Sequence, residues 1–77
     1  MLEQHKVARQ FLRDCTLTEY NKILAEAKLV PADRALLDEY ILKGTPEFRI
    51  AMDIGLSPNA VQRRLCLCYK RIYKLIM

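Results

Sequence analysis

The stretch from Thr45 to Leu65 holds two helix-start signals separated by a glycine, and that punctuation leaves few folds open. Thr45 can cap a helix through its hydroxyl, and Pro46 fills the first helical position, where a missing N–H costs nothing. Ser57 and Pro58 repeat the pairing. Gly55, between the two signals, is the residue best able to take the left-handed conformation that closes a helix. Ala51 lies one helical turn earlier on the same face, where a small side chain lets a second helix come close. Val61 and Leu65 supply the apolar stripe of that second helix. The pattern is that of a helix-turn-helix.

The polar side of the second helix points to a ligand. Ser57, Asn59, Gln62, Arg63 and Arg64 lie around and beside the face opposite Val61 and Leu65. Arginine, asparagine and glutamine match base edges bidentately, arginine also grips phosphate, and a major groove is wide enough for a helix. Polar residues on the outer face of any surface helix can also be simply solvated, and the small–Gly–apolar spacing fits an ordinary helical hairpin. Caps, spacing and charge together favour DNA over that ordinary explanation.

The charge is one-sided. Residues 1–40 hold six Lys/Arg and seven Asp/Glu, a balance of −1, whereas residues 41–77 hold seven Lys/Arg against Glu47 and Asp53, a balance of +5. After Asp53 no acidic residue occurs, while Arg63, Arg64, Lys70, Arg71 and Lys74 do. A field of this kind suits a polyanion, with affinity that falls steeply with salt. A basic face can equally keep a protein soluble or meet an acidic protein. Its coincidence with the second helix favours nucleic acid.

A chain of 77 residues makes one small domain (1–77), and a hydrophobic share of 52% makes it globular rather than disordered. No apolar run approaches a membrane span and the N-terminus lacks signal-peptide form, so the cytoplasm is the expected compartment and no membrane is an expected partner. Cys66 and Cys68 are two apart on an expected helix, so their side chains diverge and suit neither a shared metal nor a disulfide. Cys15 and His5 are remote in sequence. Reduced cysteines, Cys68 in the core, no metal and no cofactor are expected. The absence of a nucleophile–base pair, metal set or phosphate loop argues against an enzyme.

Two glycines and three prolines, each proline at a helix start, call for an all-α chain with short connections. Residues 1–29 read as an N-terminal helical hairpin and 30–77 as the helix-turn-helix core, a bundle of about five helices in all. The first helix spans Leu2 to Cys15 with a stripe of Ala8, Phe11, Leu12 and Cys15. Thr16 and Glu19 form a capping box, opening a helix that turns Tyr20, Ile23, Leu24 and Ala27 inward and ends near Leu29. Pro31 restarts the chain, and Ala32–Lys43 reads as a third helix with Leu36, Leu37, Tyr40 and Ile41 buried and Gly44 as its stop. Phe48, Ile50 and Ile54 are the expected core contribution of the fourth.

The last helix runs from Pro58 almost to Met77, long for so small a domain. Val61, Leu65, Cys68, Ile72 and Leu75 recur at steps of four and three, a heptad seam, with Tyr69 and Ile76 widening one side and Leu67 and Tyr73 off it. Its farther half has two candidate partners: helices one and two of the same chain, or a second subunit in a homodimer. The first two helices need a home for their stripes, which favours the intramolecular solution.

Ala32-Asp33-Arg34-Ala35-Leu36-Leu37-Asp38-Glu39-Tyr40, followed by Arg49-Ile50-Ala51-Met52-Asp53-Ile54-Gly55-Leu56-Ser57-Pro58-Asn59-Ala60-Val61-Gln62-Arg63-Arg64-Leu65, resembles region four of bacterial sigma factors. The likeness spans about residues 30–76 and touches the related helix-turn-helix domains of response regulators. The Asp-Arg near a helix start, the Ile-Ala-x-x-x-Gly-x-Ser core, the valine of the second helix and the basic continuation carry it. The resemblance implies promoter binding by a transcriptional regulator, with double-stranded DNA as partner. Asn59, Gln62 and Arg63 would read bases; Thr45, Arg49, Ser57, Arg64 and Lys70 would meet phosphates. Nothing here corresponds to the sigma regions that melt DNA, which excludes a whole sigma factor, and residues 1–29 have no counterpart. The alternative is a module of the same shape that binds RNA polymerase or another regulator through apolar helix faces.

Overall fold

Thr16 starts the second helix of the chain. The computed structural model describes residues 3–77, and in it α1 (Glu3–Asp14) ends two residues before Thr16 caps α2 (Leu17–Glu26). The Glu19 amide donates to Thr16 Oγ1 at 3.1 Å, and the Thr16 amide donates to Glu19 Oε1 at 3.1 Å. The backbone bond from Thr16, then its hydroxyl, hold the Glu19 carboxyl below its ordinary value. Both orphan amides of the helix start are thereby satisfied. Thr16→Ala is expected to cost about 0.5–2 kcal/mol of stability, read as a lower urea midpoint at unchanged slope.

α2 stops at Glu26, short of Leu29, because Lys28 takes a left-handed conformation (φ +52°) without a glycine to do so. α3 begins at Pro31 as expected but remains α-helical only to Leu37; Asp38–Leu42 form a wider π-helical turn. Its signature is the Lys43 amide donating to the Asp38 carbonyl at 3.1 Å, one residue farther back than an α-helix allows. Gly44 (φ +72°) closes the segment, and the Thr45 amide donates to the Glu39 carbonyl at 3.0 Å. Thr45 thus finishes the third helix and does not cap the fourth. That cap is Pro46 (φ −66°, ψ 153°), whose carbonyl accepts from Arg49 and Ile50 at 3.1 Å each, and α4 spans Glu47–Ile54. α5 spans Pro58–Ile76, so the fold is all-helical, with no strand among the described residues.

Every helix feeds the core: Ala8 and Leu12 from α1, Tyr20, Ile23 and Leu24 from α2, Leu36 and Leu37 from α3, Ile50 and Ala51 from α4. α5 contributes Val61, Leu65, Cys68, Tyr69 and Ile72. α1 packs along α5 more extensively than on any other element, and α2 also lies on α5. At about 1.5 Å rise per residue the 19-residue α5 is about 28 Å long, close to the molecule's 32 Å maximum extent, and its inner face is buried by its own chain from Val61 to Ile72. The expected start at Leu2 lies outside the described residues. No helix among the described residues is long and apolar enough to cross a membrane.

Three expected core residues stand outside. Phe48 is 59% exposed, since it is two positions from the buried Ile50 and two residues that far apart on a helix face opposite ways. Ile54 is 50% exposed, on an open groove between α3 and α4 whose other lining residues include the small Ala32 and Ala35. Leu75 is 43% exposed, while Tyr73 and Ile76 pack against the core instead. A strict seven-residue repeat needs a supercoil; an ordinary 3.6-residue helix drifts by about 20° per heptad and carries Leu75 off the seam.

Two tyrosine hydroxyls were also enclosed. Tyr20 Oη donates to Asp38 Oδ1 at 2.8 Å, and burial followed by that bond pushes the phenol far above its ordinary value. Tyr69 Oη is buried without a hydrogen-bond partner, and burial raises it likewise. Burial also pushes the Cys68 thiol from 9.0 to about 11. All three groups are raised in the folded state, so their contribution is complete below the unfolded values and lost as pH rises through the folded ones. Urea midpoints are therefore expected to hold steady up to about pH 9 and to decline above it, more steeply past about pH 10 where unfolded tyrosines ionise.

Candidate nucleic-acid interface

The turn between α4 and α5 sets the position of every candidate side chain. Gly55 adopts φ +74°, ψ 26°, and its amide and that of Leu56 both donate to the Ala51 carbonyl. That double closure satisfies the end of α4 within three residues of the next helix. Ser57 (φ −75°, ψ 154°) then starts α5, its Oγ accepting from the Ala60 amide at 3.2 Å, with Pro58 in the first turn. Val61 and Ala51, fully buried, hold α5 against α4.

With Val61, Leu65 and Ile72 facing inward, the 3.6-residue repeat places Asn59, Arg63, Lys70 and Lys74 along the outermost line of α5. Asn59, Gln62 and Arg63 are all exposed and line one shallow open groove together with Cys66. The three expected base readers are thus brought to one place. Cys66, half-buried, is the residue that sequence reasoning passed over; its spacing from Asn59, Gln62 and Arg63 carried the signal. Among the described residues no group of three or more His, Cys, Asp or Glu side chains could hold a metal ion.

The expected phosphate contacts are more dispersed. Arg49 is exposed on α4 and Lys70 is exposed midway along α5. Arg64 turns to the α3 side, where its guanidinium lies 3.9 Å from Asp33 Oδ1; an ion pair so open to solvent is worth about 0–1 kcal/mol and can be traded for phosphate. Thr45 is half-buried. The Ser57 hydroxyl accepts the cap bond and retains its own proton to donate. Arg71, in contrast, points back at the bundle, donating to the carbonyls of Ala27 and Lys28 at 3.5 and 3.4 Å. Cys68 and Ile72 are core, so their part of the seam is consumed within the chain, while Leu75 is left at the surface.

No family model, curated protein or solved structure matches the chain.

Proposed function

We propose that the protein is a sequence-specific DNA-binding transcriptional regulator that uses a sigma region-four-like helix-turn-helix, with the N-terminal half of α5 in the major groove. The observation that supports this most directly is the joint exposure of Asn59, Gln62 and Arg63 on one groove at the start of α5, just beyond a left-handed turn. These three side chains offer the bidentate geometries that distinguish adenine and guanine edges. Arg49, Arg64 and Lys70, with the hydroxyls of Thr45 and Ser57, supply the phosphate contacts that fix register. After Asp53 the sequence carries no acidic side chain, so the field around α5 is positive.

Cations that displace condensed counterions leave a measurable trace. With Arg49, Arg64 and Lys70 on phosphates, the logarithm of the affinity is expected to fall against the logarithm of salt with a slope of about −3. Fluorescence anisotropy with a labelled duplex reads this directly; a slope near zero would remove the phosphate assignments.

A module that binds another protein is the second reading, and one observation favours it. Phe48 and Met52, one turn apart on α4, are 59% and 76% exposed. Such a module would show little salt-sensitive affinity for duplex DNA.

A further inference from the structure

A second groove lies on the α3-facing flank of α5, between that helix and the α2–α3 connection. Leu29, Val30 and Asp33 form one wall, Leu67, Lys70 and Lys74 the other, and the buried Cys68 closes the floor. Two apolar side chains stand open at its lips, Val30 at 56% and Leu67 at 64% exposure. Its volume of about 340 Å³ is at the small end of ligand pockets, which suits one or two apolar side chains better than a cofactor.

The groove is held in shape from both sides. Arg71 ties α5 to the end of α2 through the Ala27 and Lys28 carbonyls, and the solvent-open Arg64–Asp33 pair adds a weaker link to the start of α3. A cleft pinned in this way loses little freedom when something enters it. Its charge is also committed: Asp33, the acidic wall residue, already faces Arg64, whereas Lys70 and Lys74 are exposed and in no ion pair among the described residues. Leu67 sits between Arg63 and Lys70 on an otherwise polar outer line and shares the groove with the exposed Val30, so the two form an apolar pair rather than a lone exposed side chain.

We propose that this groove docks an acidic amphipathic helix of a partner protein, with apolar side chains seated between Val30 and Leu67 and carboxylates on Lys70 and Lys74. Helix-in-groove recognition requires an apolar cleft with a charged margin, and the margin here is positive. A phosphate backbone would use the lysines but leave both apolar lips exposed, so peptide fits the whole surface and DNA only part of it. The inference goes beyond the DNA-binding reading, and its test contains no DNA, so either can fail without the other.

The full chain is used to select from a displayed library of helical peptides with randomised outer positions, and the strongest binder is then synthesised and measured. The expected result is enrichment of peptides with an apolar stripe flanked by glutamate or aspartate. Leu67→Ser and Val30→Ser should each reduce affinity by about 10-fold, since each removes a buried aliphatic anchor. Lys74→Glu should reduce it by a similar factor, with weakening by salt. All three positions are exposed, so circular dichroism should show unchanged helicity. Enrichment of basic or uncharged peptides would overturn the proposal, as would no enrichment over the Leu67→Ser protein. Self-association that disappears in Leu67→Ser would assign the groove to a second copy and overturn it too.

Discussion

Ile72→Ala is expected to destabilise the protein by about 2–5 kcal/mol, whereas Leu75→Ala should change stability by no more than about 0.5 kcal/mol. The two residues are three positions apart, and a heptad reading treats them alike. The structure separates them: Ile72 is 0% exposed beneath the helices that cover α5, and Leu75 is 43% exposed. Removing Ile72 loses transfer free energy and leaves a void lined by a close-packed core, which relaxes only in part. A domain of this size typically holds about 5–15 kcal/mol, so the loss is a large share of the whole and should be plain in urea or thermal unfolding. Equal losses from the two substitutions would mean that α5 presents a different face to α1 and α2.

The second large effect concerns the ligand. Arg63→Ala is expected to weaken binding to a preferred duplex by about 1–3 kcal/mol and to relax the preference at one base pair. Arg63 is exposed on the outermost line of α5, so the loss should appear without a change in helicity or unfolding midpoint. Arg64→Ala offers the contrast. It should weaken all sequences about equally and flatten the salt slope by about one, because a phosphate contact carries no sequence information. Binding constants measured for both variants against preferred and scrambled duplexes separate the roles. An Arg63→Ala protein with unchanged affinity and preference would remove the base-reading assignment.

Legibility in the sequence followed the range of the interaction. The capping box of Thr16 and Glu19 was readable because both partners lie within one turn, and the Tyr20, Ile23, Leu24 and Ala27 stripe followed from helical spacing. Gly55 was readable for a related reason, since only a backbone free of a Cβ takes a left-handed turn at little cost. Lys28 shows the limit of that rule, taking the same region as a lysine. Thr45 was misassigned because the third helix ends in a π turn, after which the Thr45 amide bonds back to the Glu39 carbonyl, and no local propensity announces either. Phe48 was placed inside on hydrophobicity alone, although its separation from Ile50 forbids a shared face. Within the candidate site, exposure of Asn59, Gln62 and Arg63 followed from the wheel of α5. The Arg64–Asp33 and Arg71–Ala27 contacts join residues far apart in the chain, and only tertiary packing brings them together.

The exposed lysine and arginine line of α5 and the polar groove at its start belong to one surface, and DNA recognition requires them to act together. The most direct test is selection of bound sequences from a pool of random duplexes by the purified 77-residue chain. Enrichment of one motif is predicted, together with its loss from the Arg63→Ala selection at the position that arginine reads. Motif symmetry would report whether one recognition helix or two engage the site. A pool recovered without any enriched sequence, at salt low enough to retain binding, would contradict sequence-specific recognition by α5.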